Sequence, residues 1–466
     1  RLWDVYTGGK KKTLEKVNSR GHVAFSKDGR FLFDGGEEGE IDVWNVATGR
    51  VIQSLNCRGW VKSIAVSPDG RKIAAASSKY ITMWDIAPPT EMSNSAVLHV
   101  RAPLIHVCSI SLSSAGNVLA AGLEDGHVEI LRLFQTLPLT SFAGVHGAAS
   151  TVALSPDAED LLCISSTSMV ISWSVASPQK NRLLVGSGNK LPMFPLSSAA
   201  SFSADGKLAA SIFQFHLVKI WDAKTGHFIA NLNPTNDSHL LTLAFNKTTT
   251  MIAAGGYNCM INVWNPHSGK NIRSIGHETT IQSLSFSPNG ELLACGSQET
   301  KPGEKNSITI WNIKNGEEAA GFPGNQRSVS SLAFSPDGNS LVTAGDDGSI
   351  SVWDVLKRQF RRNLAGHSAA VHSLAFEPKT SLLFSAGDDG AIKLWNLSSG
   401  TELATLTLVD DKNWVITTPQ VYFDGTPEGT THIYWTVRNR AVTSDSLFKK
   451  YYISGLARKI LKVPSR

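Results

Sequence analysis

Short apolar runs that alternate with polar residues recur along the whole chain and indicate β-strands. The runs are rich in Val, Ile, Leu and Phe, and their period of two is typical of a strand with one buried face. Pro-Asp-Gly or Asp-Gly separates many of them, because Pro sets φ at the first corner of a turn and Gly accepts positive φ. The pattern predicts short antiparallel strands joined by tight turns.

One phrase within this pattern has a tryptophan anchor and recurs at a nearly constant interval. It follows a strand ending in AFSPDG or a variant and a second apolar run ending in small residues. Successive anchors lie about 40 to 48 residues apart, and they are Trp44, Trp84, Leu131, Trp173, Trp221, Trp264, Trp311, Trp353 and Trp395, after the tail of an earlier copy at Trp3. Four short strands per repeat describe the blades of a β-propeller.

These copies make the chain resemble the WD-repeat family over nearly its whole length, from Arg1 to about Trp435. The resemblance implies an all-β fold, the WD-repeat β-propeller. It says little about function, because this architecture carries many unrelated roles.

The number of copies predicts more than one ring. Trp435 follows as a degenerate anchor, with NWVITTP and QVYFDGT as the two strands before it, and this gives about ten blade units. Propellers usually have about four to eight blades. We therefore predict a partial propeller of about three blades over 1–132 and a seven-bladed ring over 133–440, with anchors from Trp173 to Trp435. The segment 135–142 would close this ring by pairing with the strand of Trp435, and one unusually large ring is the alternative.

The last residues, 441–466, are predicted to form a short basic helical tail. Ser444 and Asp445 can cap its start and Pro464 ends it. An apolar stripe at i, i+4 spacing comprises Phe448, Tyr452, Leu456 and Ile460, and the basic side chains are Lys449, Lys450, Arg458, Lys459 and Lys462. We expect the helix to dock on the last blade, although Gly455 interrupts the stripe. A helix on a membrane surface is the alternative.

Composition and motifs argue against several classes of function. The net charge is only +5, from 44 basic and 39 acidic residues, which does not favour a nucleic-acid partner. Five cysteines are scattered without zinc-ligand spacing, which favours packed thiols in a reducing cytoplasm. No apolar run approaches the length of a transmembrane segment, and no nucleophile or phosphate-binding motif occurs. We therefore predict no enzyme, no cofactor and no metal.

The resemblance implies a structural network of four side chains in each complete blade. It joins a histidine before the first strand, Ser or Thr in the second strand, Asp in the tight turn and the anchor Trp. One repeat has all four residues: His367, Ser385, Asp389 and Trp395. On paper this is a Ser-His-Asp set, but the role that the resemblance implies is structural. Other copies are degenerate: Asn325 replaces the histidine in the repeat of Trp353, and an insertion interrupts the turn in the repeat of Trp311.

Function would then lie on the narrow end of the central channel, here called the rim. The resemblance places three residues of each blade there: two lie six and four residues before the Phe of AFSPDG, and one precedes the turn Asp. Reading these positions gives Glu37, Trp60, Lys62, His106, Glu124, His239, Tyr257, Gln282, Ser328, Ser330, Asp346, His372 and Asp388. Exposed aromatic, imidazole and charged groups on a rigid ring favour a protein or peptide partner.

The segment from Asp410 onward resembles the WD-repeat region of bacterial proteins in which a caspase-like (C14-type) peptidase domain follows. The similarity rests on NWVITTP, FDGTPEG and YYISGL, whereas Val421 and Tyr422 depart from its usual Asp-Gly turn. Because Arg1 is not a start methionine, we expect a piece of a longer protein, and the resemblance implies a covalently linked effector domain. The predicted function is a non-catalytic scaffold or sensor in the bacterial cytoplasm. The alternatives are the regulatory region of a caspase-like protease and a propeller hydrolase.

Overall fold

A computed structural model describes residues 2–3, 10–12, 22–25, 31–35, 40–46, 50–56, 61–66, 72–77, 81–85, 97–100, 105–133, 140–142, 147–165, 170–185, 199–213, 216–235, 239–297, 308–322, 328–410, 413–437, 440–442 and 445–461. The chain divides into two compact units. The first comprises Arg1–Pro103 with Pro427–Tyr452, and the second comprises Leu104–Thr426 with Ile453–Arg466. The two units therefore alternate along the sequence, each comprising two segments.

The first unit opens with ten strands. They are β1 (Leu2–Trp3), β2 (Lys10–Lys12), β3 (His22–Phe25), β4 (Phe31–Gly35), β5 (Glu40–Asn45), β6 (Arg50–Asn56), β7 (Val61–Val66), β8 (Lys72–Ser77), β9 (Ile81–Asp85) and β10 (Val97–Val100). Strands β3 to β6 form a four-stranded sheet and β7 to β9 a three-stranded sheet. Buried Phe33, Ile41, Val61 and Ile73 pack in one cluster between them.

The second unit follows with the strands of its first four sheets. They are β11 (Val107–Leu112), β12 (Val118–Leu123), β13 (Val128–Arg132) and β14 (Thr140–Phe142); β15 (Ala149–Leu154), β16 (Asp160–Ser165), β17 (Val170–Ser174) and β18 (Ser177–Val185); β19 (Ala200–Phe202), β20 (Leu208–Phe213), β21 (Leu217–Asp222) and β22 (Phe228–Leu232); β23 (Leu240–Phe245), β24 (Ile252–Gly256), β25 (Met260–Trp264) and β26 (Asn271–Gly276).

Three further sheets complete this unit. Their strands are β27 (Ile281–Phe286), β28 (Leu292–Ser297), β29 (Ile308–Asn312) and β30 (Glu318–Phe322); β31 (Val329–Phe334), β32 (Ser340–Gly345), β33 (Ile350–Asp354) and β34 (Gln359–Leu364); β35 (Val371–Phe376), β36 (Leu382–Gly387), β37 (Ala391–Asn396), β38 (Thr401–Leu408), β39 (Trp414–Thr417) and β40 (Phe423–Gly425). The chain ends with α1 (Pro427–Thr430), β41 (Ile433–Val437), β42 (Arg440–Val442) and α2 (Asp445–Tyr451) of the first unit, and α3 (Leu456–Leu461) of the second.

The seven sheets of the second unit, called blades 1 to 7 in chain order, form a closed ring. The first strand of each blade lies beside the first strand of the next, and β35 of blade 7 lies beside β11 of blade 1. At this last junction Ile110 and Leu119 pack against Leu382 and Phe384. The prediction of an all-β WD-repeat propeller is thereby confirmed.

Serine side chains on the first strands link neighbouring blades. Ser283 donates a 2.9 Å hydrogen bond to the carbonyl of Val329, between blades 5 and 6. The N–H of Ile110 donates a 3.1 Å hydrogen bond to Ser373, between blades 1 and 7. The closing junction therefore uses the same kind of link as an ordinary junction.

The Ser-Pro-Asp-Gly turns form as their residues dictate. In blade 6 the hydroxyl of Ser335 donates to the carboxylate of Asp337 and accepts the N–H of Ser340, at 2.5 Å and 2.9 Å. Gly338 has φ of 74°, a left-handed conformation that glycine adopts without a steric penalty. Side-chain and backbone groups thus fix the hairpin between the first two strands.

The predicted closure of the ring is wrong. Thr140–Phe142 pairs with β13 of its own blade, and Trp435 on β41 pairs with Leu98 on β10 in the first unit. The ring therefore carries Leu131 and the six tryptophans from Trp173 to Trp395, one repeat earlier than predicted. The two compact units divide after Pro103, whereas the prediction placed a boundary at 132.

The C-terminal segment also differs from the prediction. NWVITTP and QVYFDGT do contain strands, but β39 and β40 extend the sheet of blade 7 and do not pair with the strand of Trp435. The single predicted helix is divided into α2 and α3, and Gly455, with a φ of 69°, lies directly before the first residue of α3. Helix α3 docks on blade 7 as expected: Leu456 is buried, and its N–H donates a 3.1 Å hydrogen bond to Asp424.

Candidate functional site

Blade 7 contains the complete network of four side chains. His367 Nδ1 lies 2.8 Å from Asp389 Oδ2, and His367 Nε2 lies 2.7 Å from the hydroxyl of Ser385. Trp395 donates its indole N–H to the same hydroxyl at 2.8 Å. Ser385 is 0% exposed, so its hydroxyl cannot reach a substrate. The set ties the entry loop, the second strand, the turn and the third strand of one blade together.

The carboxyl of Asp389 is held in its charged form within this network. Burial alone would raise its pKa, but the hydrogen bond and charge of His367, the N–H of Ser368 and the charge of Lys393 together lower it. Because the ionised carboxyl accepts several hydrogen bonds in a dry site, breaking the network would leave costly unpaired groups.

The degenerate blades retain only fragments of the network. Trp353 donates to Thr343 at 3.0 Å, whereas Asn325 lies outside the described residues. His277 Nε2 lies 3.3 Å from Thr309, and among the described residues the buried Nε1 of Trp311 has no partner. Blade 5 therefore keeps a tryptophan at the anchor position, although its indole N–H has no hydrogen-bond partner within the described part of the chain.

A shared backbone hydrogen bond positions the rim residues of blades 1, 4 and 7. The N–H of Glu124 donates to the carbonyl of His106 at 3.1 Å, and the N–H of Tyr257 donates to that of His239 at 2.8 Å. In blade 7 the N–H of Asp388 donates to the carbonyl of Ala370 at 2.9 Å. Equivalent turns thus present different side chains from the same backbone frame.

Four predicted rim residues meet where the ring closes. His106 Nδ1 lies 3.1 Å from the carboxylate of Glu124 and 3.8 Å from that of Asp388 across the junction. The same oxygen of Asp388 lies 2.8 Å from Nε2 of His372. All four side chains are partly exposed. We call this group, Glu124–His106–Asp388–His372, the closure cluster.

Two further predicted rim residues, His239 and Tyr257, form an exposed cluster of rings with His216 on blades 3 and 4. The ring centroids of His216 and His239 lie 5.1 Å apart, and those of His239 and Tyr257 lie 6.5 Å apart, both edge to face. Tyr257 is 58% exposed and both histidines are exposed as well. We call His216, His239 and Tyr257 the aromatic cluster.

The remaining rim candidates are dispersed. Ser328 is buried, and Ser330 donates a 2.5 Å hydrogen bond to the carbonyl of Val371, linking blades 6 and 7. Gln282 is half-buried and Asp346 is exposed. Glu37 and Trp60 lie outside the described residues, and so does the side chain of Lys62.

Two residues near these clusters were missed by sequence reasoning. His216 directly precedes the third strand of blade 3, and the repeat position that gave Tyr257 falls on Gln214 in this blade, so it did not indicate His216. Cys108 lies near the closure cluster: burial, then the charges of Glu124, Asp388 and Asp125, raise the pKa of this thiol to about 11. Its thiol is therefore protonated at neutral pH and is not set up as a nucleophile.

The part of the chain that the structure describes contains neither a cluster of metal-binding side chains nor a membrane-spanning helix. Within these residues no three His, Cys, Asp or Glu side chains converge so that they could hold a metal ion. Nor do the described residues include a helix of sufficient length and apolar character to cross a bilayer.

Comparison with known proteins identifies the repeats. The family described as WD domain, G-beta repeat matches five segments, at residues 49–85, 226–265, 269–312, 316–354 and 358–396. The last four of these fall on blades 4 to 7 with the strand that precedes each. The first falls in the first unit, so both units contain matched repeats.

Curated relatives contain the same repeats within longer chains. The chain is 30% identical over 290 residues to the transcriptional corepressor LEUNIG_HOMOLOG of Arabidopsis thaliana, covering 62% of this chain and 34% of the relative. It is 23% identical over 290 residues to protein groucho of Drosophila melanogaster, covering 60% and 37%. It is 23% identical over 356 residues to apoptotic protease-activating factor 1 of Rattus norvegicus, covering 66% and 27%. The chain thus spans about a third of these relatives, and five of its segments match the WD-repeat family model.

Proposed function

We propose that the chain is a non-catalytic interaction scaffold or sensor that binds a peptide segment of a protein partner on the rim of its second unit. The aromatic cluster carries this proposal. Tyrosine and histidine rings combine apolar area with a polar atom, and tyrosine is enriched among the residues that dominate binding energy. Three such rings in mutual contact and open to solvent offer a central contact for a partner.

The frame beneath the aromatic cluster supports the proposal because it is rigid. The backbone hydrogen bond from Tyr257 to His239 fixes both residues, and Leu240, which follows His239, is fully buried. A site held in place by its scaffold loses little conformational entropy when a partner binds. The closure cluster, whose side chains already contact one another, is less suited to this role.

A displayed library of random peptides provides the test, since it samples many sequences without a chosen partner. We expect panning of the full chain against this library to enrich a family of sequences. Tyr257→Ala should then weaken the best peptide at least about tenfold, the loss expected for a tyrosine hot spot. Leu356→Ala is the matched control, because Leu356 is 79% exposed in the turn after β33, at the opposite end of its blade.

Two results would contradict the proposal. One is the absence of any enriched peptide family, and the other is a family whose affinity falls equally in Tyr257→Ala and Leu356→Ala. Peptide and ester substrate panels test the non-catalytic part, for which we expect no turnover. Turnover that a single Ser, Cys or His substitution on the rim abolishes would favour a propeller hydrolase instead.

The wider context of this scaffold stays a prediction. The resemblance of the segment from Asp410 onward to bacterial caspase-like fusion proteins predicts a linked effector domain, with this chain as its regulatory region. The cytoplasmic location rests on the scattered single cysteines. The complete reading frame around this sequence would test both predictions.

A further inference from the structure

The ring of the second unit closes without exchanging a strand between blades. Among the described residues, each sheet of the ring consists of strands that are consecutive in the chain. Within the part of the chain that the structure describes, blade 7 and blade 1 are joined by apolar packing, by hydrogen bonds of the Ser373 hydroxyl to the backbone of Ile110, and by the closure cluster. Side-chain contacts at this junction bear directly on whether the ring stays closed.

The closure cluster places two imidazoles among carboxylates on both sides of this junction. His106 of blade 1 lies between Glu124 of its own blade and Asp388 of blade 7. His372 of blade 7 faces the same Asp388. A proton on either histidine adds a positive charge beside these carboxylates and gives their hydrogen bonds a charged donor as well.

We propose that the closure cluster is a proton-sensitive clasp, in which protonation of His106 and His372 strengthens the junction between blades 1 and 7. Histidine is the side chain that changes charge between about pH 5 and pH 8. A protonated His106 places a cation between Asp388 of blade 7 and Glu124 of blade 1, whereas a neutral imidazole leaves the two carboxyl groups without one.

The other titratable groups near the cluster do not provide this bridge. Asp125 adds a third carboxylate on the turn of blade 1, and its partner His127, 3.2 Å away, belongs to the same turn. The thiol of Cys108 on β11 stays protonated, with a pKa of about 11. The pair of His127 and Asp125 is therefore a local control, with the same chemistry but without a contact across the junction.

Hydrogen exchange measured by mass spectrometry tests the proposal at the two strands concerned. After correction for the intrinsic pH dependence of exchange, we expect protection of 107–112 and 371–376 to fall about three- to tenfold from pH 6 to pH 8. This range corresponds to two partly exposed ion pairs of ordinary strength. Strands 281–286 and 329–334, at the junction of blades 5 and 6, serve as the internal reference.

Substitutions identify the groups responsible. The double variant His106→Gln, His372→Gln should lose the pH dependence, whereas His127→Gln should keep it. If the double variant does not fold, Asp388→Asn is used in its place. This substitution removes the carboxylate that both histidines face. The proposal is overturned if wild-type protection at 107–112 and 371–376 does not change with pH relative to the reference, or if His127→Gln abolishes the change.

Discussion

Trp395 donates its indole N–H to the hydroxyl of Ser385, and this 2.8 Å hydrogen bond is buried in blade 7. A hydroxyl can accept one hydrogen bond while donating another. Ser385 can therefore accept from Trp395 and donate to His367 Nε2, which leaves Nδ1–H to donate to Asp389. Each polar group of the network therefore has a hydrogen-bond partner within it, and removal of one side chain leaves its neighbour without that partner.

The first prediction compares two anchor tryptophans that differ in this hydrogen bond. We expect Trp395→Phe to lower the free energy of unfolding by about 1 to 2 kcal/mol more than Trp311→Phe, because only Trp395 loses a buried hydrogen bond. Urea denaturation of both variants, followed in parallel with the wild type, gives the difference. Equal losses would show that the hydrogen bond of Trp395 contributes nothing to stability.

The second prediction concerns acid and Asp389. Its pKa is lowered in the folded state, so its contribution to stability is present above the ordinary aspartate pKa of about 4 and is lost as the pH falls through the lower folded value. We expect Asp389→Asn to be less stable than the wild type at pH 7 by about 1.5 to 3 kcal/mol, as for a lost charged hydrogen bond. This gap should narrow below about pH 4.

Urea titrations at a series of pH values measure this gap. Asp346→Asn is the control, since Asp346 is an exposed rim residue of the neighbouring blade. A gap that stays constant down to pH 2 would contradict the assignment of a charged Asp389.

The network in blade 7 was open to prediction from sequence, whereas the closure of the ring was not. The four residues of the network lie within one repeat, so their types and spacing determine their meeting. The choice of the first blade depends on contacts between distant repeats, and a period of about 40 residues is equally satisfied by beginning at Leu131 or at Trp173. Counting Trp435 as the seventh anchor moved the predicted first blade to Trp173, whereas Trp435 pairs with Leu98 in the first unit.

The contact between rim residues of different blades was likewise not predictable from the sequence. His106, Glu124, His372 and Asp388 were each placed on the rim by their position in a repeat, but nothing local shows that blades 1 and 7 are neighbours. Their contact follows only from the closed ring. The break between α2 and α3 was nearer to prediction, because Gly455 already interrupted the apolar stripe.

The third prediction concerns thiol reactivity. Burial raises the pKa of Cys163 to about 12, and burial, with a smaller contribution from Cys259, also raises that of Cys295. We expect both thiols to resist iodoacetamide at pH 8 in the folded protein, whereas the more accessible Cys259 reacts first. Peptide mapping after timed alkylation gives the order of labelling. Labelling of Cys163 as fast as that of Cys259 under native conditions would contradict the described packing of blade 2.

The last prediction joins the fold to the aromatic cluster through Gly256. A Cβ at this position would overlap the backbone carbonyl of His239, the group that accepts the N–H of Tyr257. Because backbone atoms cannot move aside cheaply, we expect Gly256→Ala to displace the turn and to cost about 2 kcal/mol or more. Gly276→Ala is the matched control on the same blade, since its nearest neighbour would be the sulfur of Met260 at an ordinary contact distance of 3.8 Å. Thermal unfolding measures the loss of stability, and hydrogen exchange at 240–245 reports whether the damage lies in blade 4. If Gly256→Ala and Gly276→Ala unfold at the same temperature, the close approach of this turn to His239 is not what holds Tyr257 in place.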